Sequence, residues 1–206
     1  MKGLLITFEG IDGSGKSTQA ILLQKRLEEL GIPVFLYREP GGTSIGEKIR
    51  SILLDKMHSE MFPLTELFLY LAARAQITSQ RIVPSLNDGS IVLMDRYLDS
   101  TIAYQGYARG LGVELLRELN MLATGGLLPD ATFVIDCDPC VALKRNTSLP
   151  DRLESEGIEF MKQVREGFLL LSKMEPERVF VFDGARDVST IENEIYQKVK
   201  TIIRSI

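Results

Sequence analysis

Short unbroken apolar runs alternate along this chain with longer stretches in which apolar residues return every three or four positions. The first run, LLITFE (4–9), is continuous enough for a parallel strand buried on both faces. After it, Ala20, Leu23, Leu27 and Leu30 recur at helical spacing, and Gly31 offers a stop. PVFLYRE (33–39) reads as a second strand followed by the turn PGGT. Ile45, Ile49, Ile52 and Leu53 give one apolar face to a helix over 44–56, and a long helix is expected over 64–83. Asn87-Asp88-Gly89 is a turn, and IVLM (91–94) a third strand ending at Asp95. A helix over 113–123 precedes the strands ATFVIDC (131–137) and RVFVFD (178–183). The final helix is expected to open on Ser189-Thr190-Ile191-Glu192 as a capping box and to repeat Ile191, Ile195, Val199 and Ile202.

Apolar strands alternating with amphipathic helices imply an α/β fold, an open parallel sheet with right-handed crossovers. Ligands of such sheets bind beyond the carboxyl ends of the strands. Arg38-Glu39, Asp95-Arg96, Asp183 and the glycine-rich segment after Glu9 all follow strands directly, so they should gather along one rim. No repeat, low-complexity tract or linker divides the chain, and a single domain is expected over 1–206.

That glycine-rich segment, Gly10-Ile11-Asp12-Gly13-Ser14-Gly15-Lys16-Ser17, matches G-x-x-x-x-G-K-[ST] in full. Its glycines permit close approach of backbone N–H groups to phosphate oxygens, aided by the positive end of the following helix. Lys16 reaches the β- and γ-phosphates in this pattern, and the Ser17 hydroxyl can ligate Mg²⁺. Asp95, closing an apolar strand, stands where a carboxylate on the Mg²⁺ side belongs; the plain alternative is a strand-end carboxylate paired with Arg96. A nucleoside triphosphate site follows.

Composition narrows the class. The 206 residues are 45% hydrophobic and 25% charged, with a formal net charge of −4, which argues against a broad basic surface for nucleic acid. No apolar run approaches the ~20 residues a bilayer span needs. MKGLLITFEG reads as a first strand and not as a signal peptide, so a cytoplasmic enzyme is expected. Cys137 and Cys140 form a C-x-x-C, either a redox or zinc half-site or two small thiols where a strand meets a helix; one pair cannot close a tetrahedral zinc site, and the single histidine, His58, is distant.

The chain lacks the N-K-x-D that reads guanine in a GTPase. A phosphotransferase needs positive charge around a second, anionic substrate, and Arg38, Arg50, Arg74 and Arg96 flank the expected rim. Each alone reads equally well as a solvated surface arginine.

FEGIDGSGKSTQ, REPGGT, AARAQ, DRYLDSTIAYQG and LLPD occur in that order, followed by an LKR…DR segment. Together they resemble the bacterial thymidylate kinases from Lys2 to about Leu171, most specifically in DRY…S…AYQG. The resemblance implies a P-loop NTPase fold with a five-stranded parallel sheet and a short lid over about 144–157. It implies transfer of the γ-phosphoryl of MgATP to dTMP, and a homodimer. The loop Gly10–Ser17 with Thr18 would hold ATP. Asp12 would meet the deoxyribose 3′-hydroxyl; Arg50 and Arg96, with Arg38 in support, would hold the dTMP phosphate. Tyr70 falls where relatives stack a phenylalanine on thymine, and Arg74, one turn later, would bond the base. Ser100, Thr101 and Gln105 would line the base and Tyr104 the sugar. Where Gly13 stands relatives often carry an arginine; those without it supply one from the lid. Here Arg152 is expected at the transition state and Arg145 on ATP. Within the same class, a kinase of another nucleoside monophosphate stays open because Tyr70 and the lid depart from the pattern; from another class, an ATP-binding protein that has lost transfer.

Overall fold

The apolar runs become β1 (Leu4–Glu9), β2 (Val34–Arg38), β3 (Ile91–Asp95), β4 (Ala131–Asp136) and β5 (Val179–Asp183) in the computed structural model, which describes residues 3–145 and 151–204. They form one wholly parallel sheet in the order β2-β3-β1-β4-β5. The central β1 is buried at every position, which explains its continuous apolar sequence, while the edge strands β2 and β5 are only partly covered. The helices are α1 (Lys16–Glu29), α2 (Ser44–Leu54), α3 (Pro63–Ile77), α4 (Val83–Asn87), α5 (Leu98–Thr101), α6 (Val113–Thr124), α7 (Pro139–Arg145), α8 (Ile158–Met174) and α9 (Val188–Arg204).

Two cores sandwich the sheet. On one face Ala20, Leu23 and Leu27 of α1 and Ile191, Ile195 and Val199 of α9 meet Ile6, Phe8 and Phe133. On the other, Leu67, Leu71 and Ile77 of α3 and Phe168 and Leu171 of α8 meet Leu5, Val92 and Met94. Burying such side chains stabilises each by about 1.5–3 kcal/mol relative to exposure.

Three local features depart from the sequence reading. The helix expected over 64–83 stops being α-helical at Ile77; Thr78–Ile82 winds as a π-helix before α4 resumes. Pro84 has no N–H to close an α-turn, and the wider winding accommodates the interruption. The last helix is capped by Asp187, whose Oδ1 accepts from the N–H groups of Ser189 (2.9 Å) and Thr190 (3.2 Å), so Ser189 is not the cap. The sequence reading passes over α8, although Val164, Gly167, Phe168 and Leu171 carry the helical period of its buried face.

One buried polar cluster fixes where the rim begins. Asp99, on α5, takes a bidentate pair from Arg178 (2.7 and 2.9 Å) and a hydrogen bond from Thr132 (2.8 Å) in β4. This ties the start of α5, with Ser100 and Thr101 on it, to the sheet.

Candidate active site

The glycine loop runs from β1 into α1 beneath β4 and α7. A Cβ at Gly10 would stand 2.6 Å from the Ile135 carbonyl oxygen, and one at Gly13 would stand 2.2 Å from that of Ala142. Both glycines also have positive φ, 136° and 79°, so the loop needs them for space and for backbone conformation. Gly13, Ser14, Gly15, Lys16, Ser17 and Thr18 line a first cavity together with Arg145, Gly184 and Arg186. The Ser14 hydroxyl is buried there without a hydrogen-bond partner among the described residues. Arg145, expected on ATP, reaches this cavity from α7 and donates to the Gly184 carbonyl at 2.8 Å. The sequence reading missed Arg186, which joins it while ion-paired to Glu194 at 2.6 Å. The rule that put Asp183 on the rim applies equally to the turn that follows it.

Ser17 Oγ donates to Asp95 Oδ2 at 2.5 Å, so the two residues expected around Mg²⁺ meet at the mouth of β3. Two protein oxygens suit a hard cation that takes its remaining ligands from water and phosphate. Among the described residues no group of three or more His, Cys, Asp or Glu converges into a metal cage. Cys137 and Cys140 are free thiols; burial pushes the Cys137 thiol up, and Arg145 opposes that shift.

A second cavity opens on the other side of the loop. Asp12, Arg50, Tyr70, Arg96, Ser100, Thr101, Tyr104 and Gln105 line it, with Glu39, Leu54, Asp151 and Leu153. Eight residues expected at the acceptor are thus brought together from four separate segments. Ile102–Ala108 continues α5 as a π-helix, whose wider turn keeps Ser100, Tyr104 and Gln105 on one wall.

Arg96 sits at φ 70°, the only positive-φ residue other than glycine among those described. Such a conformation costs on the order of 1–3 kcal/mol and persists only where surroundings enforce it. Here Arg96 N–H is held by the Phe8 carbonyl at 3.0 Å. Its guanidinium reaches Asp12 Oδ1 (2.7 Å), Ser100 Oγ (3.1 Å) and Tyr104 Oη (3.2 Å). Asp12 Oδ1 also accepts from Lys16 Nζ at 2.9 Å. Burial alone would raise the Asp12 carboxyl, but Arg96 and Lys16 together hold it well below the usual range. Lys16 borders the first cavity and Arg96 the second, so Asp12 bridges the cations of both.

Arg50 donates to the Pro40 carbonyl at 3.0 Å and has no carboxylate ion-pair partner among the described residues. Burial, and then the nearby Arg38, lower its pKa. Tyr70 replaces the expected phenylalanine with a phenol that burial, and then Glu66, push up.

Three expected arginines lie elsewhere. Arg38 turns to Glu47 in a bidentate pair (3.1 and 3.0 Å) and lines neither cavity. Arg74 is buried behind the acceptor wall with all five N–H groups engaged. Nε and Nη2 donate to Glu39 Oε2 (2.9 and 2.7 Å), Nη1 to Thr101 (2.7 Å) and Asn120 (2.6 Å), and Nη2 also to the Tyr97 carbonyl (3.0 Å). Arg152, expected from the lid over ATP, packs on the acceptor side. Its Nε donates to the Leu53 carbonyl (2.7 Å) and its Nη2 lies 2.6 Å from Glu66, so it borders neither cavity. Of the expected lid, residues 146–150 lie outside the described residues. Glu39 and Glu66 were not singled out in the sequence: REPGGT contains the first, but nothing local reveals that either carboxylate is buried.

Known proteins agree with this architecture. A family model described as thymidylate kinase matches residues 8–195. A thymidylate kinase of Caldanaerobacter subterraneus is 46% identical over 205 residues, covering 99% of this chain and 98% of that one. One from Pelobacter propionicus is 49% identical, covering 96% of this chain and 94% of its own. The crystal structure of thymidylate kinase from Ehrlichia chaffeensis superposes with a TM-score of 0.79 at 36% identity, covering 97% of this chain and 99% of that chain. A glycine loop joined through one aspartate to an arginine-lined second cavity, on this fold and with these relatives, goes with the match that places the chain in the thymidylate kinase family.

Proposed function

We infer that this chain transfers the γ-phosphoryl group of ATP, with Mg²⁺, to dTMP and releases dTDP. The observation that carries the reading is Asp12, which links Lys16 at the loop to Arg96 in the acceptor cavity through one carboxylate oxygen. Two phosphate-binding cavities meet there, as an in-line transfer requires.

The loop amides and Lys16 hold the donor phosphates, and Arg145 approaches the same nucleotide. Ser17 and Asp95 would hold Mg²⁺, which supplies charge neutralisation on the donor phosphates when bound. Arg50 and Arg96 grip the acceptor phosphate, Tyr70 lies against the base, and Tyr104 closes the sugar side. The acceptor is a phosphate monoester with a second pKa near ~6, so it is largely dianionic at neutral pH and needs no strong base. Catalysis rests on positioning and on positive charge brought to the junction. Asp12 keeps the two cations from repelling one another before the anions arrive, and it stands where a sugar hydroxyl can replace one of them. Arg74 serves the base from behind, through Thr101; Arg152 orders the acceptor wall, and Arg38 contributes only its field.

The reading extends to one thymidylate kinase-like domain with a lid over about 144–157, working in the cytoplasm, where two free thiols persist. No helix among the described residues is long and apolar enough to cross a membrane. A homodimer is supported by exposed apolar side chains on adjoining helices: Ile45 and Ile52 on α2, Leu64 and Phe68 on α3, and Leu115 and Leu122 on α6. Leu67 and Leu71, on the same helix α3, belong instead to the core. Sedimentation should give twice the 23.1 kDa chain mass.

ADP release with dTMP, dUMP, UMP, CMP and AMP tests the reaction. dTMP-dependent release that Lys16→Ala abolishes is expected. Preference for another monophosphate would move the chain to a different acceptor, and ATP binding without any release would overturn transfer.

A further inference from the structure

The acceptor wall contains two polar side chains whose hydrogen-bonding sense is set from behind. Gln105 Nε2 donates to Glu66 Oε1 at 2.8 Å. A carboxylate has no proton to give, so Gln105 can meet it only with its NH₂, and the amide carbonyl must take the opposite side. Glu66 is itself clamped. It is buried on α3, with Arg109 Nη2 3.2 Å and Arg152 Nη2 2.6 Å from Oε2. About two turns further along the same helix, Arg74 Nη1 donates to Thr101 Oγ1 at 2.7 Å. A guanidinium only donates, so Thr101 is the acceptor of that bond and keeps its own proton. It makes no other side-chain hydrogen bond among the described residues. Both Gln105 and Thr101 line the cavity.

The wall therefore offers one fixed acceptor, the Gln105 carbonyl, beside the Thr101 hydroxyl, which still has its proton to give. The Watson–Crick edge of thymine presents the complement, an N3–H donor beside the O4 acceptor. A cytosine edge presents the reverse, an N3 acceptor beside an N4 amino donor, and in the same register sets its N3 lone pair against the Gln105 carbonyl. Burial makes such mismatches expensive, because each leaves an unpaired polar group.

We propose that Glu66 is a positioning residue that locks the Gln105 amide with its carbonyl toward the acceptor cavity, and so, with Arg74 acting through Thr101, makes the site select a keto over an amino pyrimidine. This rests on the reading of that cavity as the dTMP site. It assigns discrimination to two buried charges that do not line the cavity themselves.

The test uses 5-methyl-dCMP, which keeps the methyl group, sugar and phosphate of dTMP and changes only the donor–acceptor edge. Steady-state ADP release is measured with both monophosphates for the wild type and for Glu66→Gln, whose carboxamide can present either a donor or an acceptor to Gln105. The ratio of kcat/KM for dTMP over 5-methyl-dCMP is expected to fall about tenfold or more in the variant. The loss should appear mainly in KM for dTMP, with KM for ATP nearly unchanged. Equal loss with both substrates would overturn the proposal and leave Glu66 a structural role. A wild type inactive with dTMP would instead remove the underlying reading. If Glu66→Gln does not fold, the wild type decides. With ¹⁵N-labelled dTMP bound, scalar coupling across the hydrogen bond from N3 to the Gln105 side-chain carbonyl carbon is expected, and its absence overturns the proposal.

Discussion

Arg74→Met tests the buried charge pair behind the acceptor wall. Both Arg74 and Glu39 are almost wholly buried, at 1% and 3% relative exposure, so neither charge can fall back on water. Two Arg74 N–H groups converge on Glu39 Oε2, while Glu39 Oε1 has no hydrogen-bond partner among the described residues. Burial already raises the Glu39 pKa, with Arg74 opposing the shift. Methionine fills much of the space but strands the carboxylate. Removing one partner of a buried pair costs about 3–5 kcal/mol, and the Asn120 and Tyr97 oxygens also lose donors at 2.6 and 3.0 Å. Against a domain stability of about 5–15 kcal/mol, that is about a fifth or more of the total. Urea unfolding should show a lower midpoint with an unchanged m-value. Adding Glu39→Gln should restore part of the loss, because the stranded charge is gone; a double-mutant cycle would return a coupling of about 1.5 kcal/mol or more. A loss below about 1 kcal/mol in the single variant, or additivity in the double, would refute the account.

Arg152→Ala should raise KM for dTMP more than it lowers kcat, since the guanidinium braces Leu53 and Glu66 on the acceptor side. A large drop in kcat at unchanged KM would return Arg152 to the transition state. Glu9 gives a pH dependence: burial and then Asp99 raise its carboxyl from 4.5 to about 8, against Ser100, Arg96 and the Tyr97 N–H. The folded chain holds this proton where the unfolded chain has released it, so the stabilisation is complete below about 4.5 and fades as pH rises toward about 8. Unfolding free energies across that window should fall with pH, and Glu9→Gln should flatten the slope; an unchanged slope would contradict the assignment.

The strands and the phosphate loop were legible because their causes are local. A strand covered on both faces must be apolar throughout, and β1, β3 and β4 occupy the centre of the sheet. The loop depends on glycine conformations and a Lys-Ser pair that no ordinary turn needs. Rim placement followed from topology, which is why Asp95 and Ser17 meet as expected. Arginines are a different matter. Arg50, Arg74 and Arg152 look alike in sequence, yet Arg50 faces a cavity while the other two serve buried carboxylates. The fate of each guanidinium depends on an acid far away in the chain, and a local pattern carries no sign of burial. The π-helical turns were equally hidden, since 3.6-residue periodicity persists through them closely enough to pass for α-helix.

Arg152 also shows why the segment before α8 and the wall of the second cavity are not separate problems in this chain. Arg109 bridges Glu66 to Glu156, at 3.2 and 2.6 Å, and Arg152 approaches the same Glu66 carboxylate. Glu156 and Arg152 both belong to the segment between α7 and α8. Gln105, on the wall of the second cavity, hangs from the same group. A movement of that segment that withdrew Arg152 or Glu156 would redistribute charge around Glu66 and loosen the amide it orients. The segment before α8 and the wall of the second cavity are thereby linked through one buried carboxylate, a link made of partners that only the folded chain brings together.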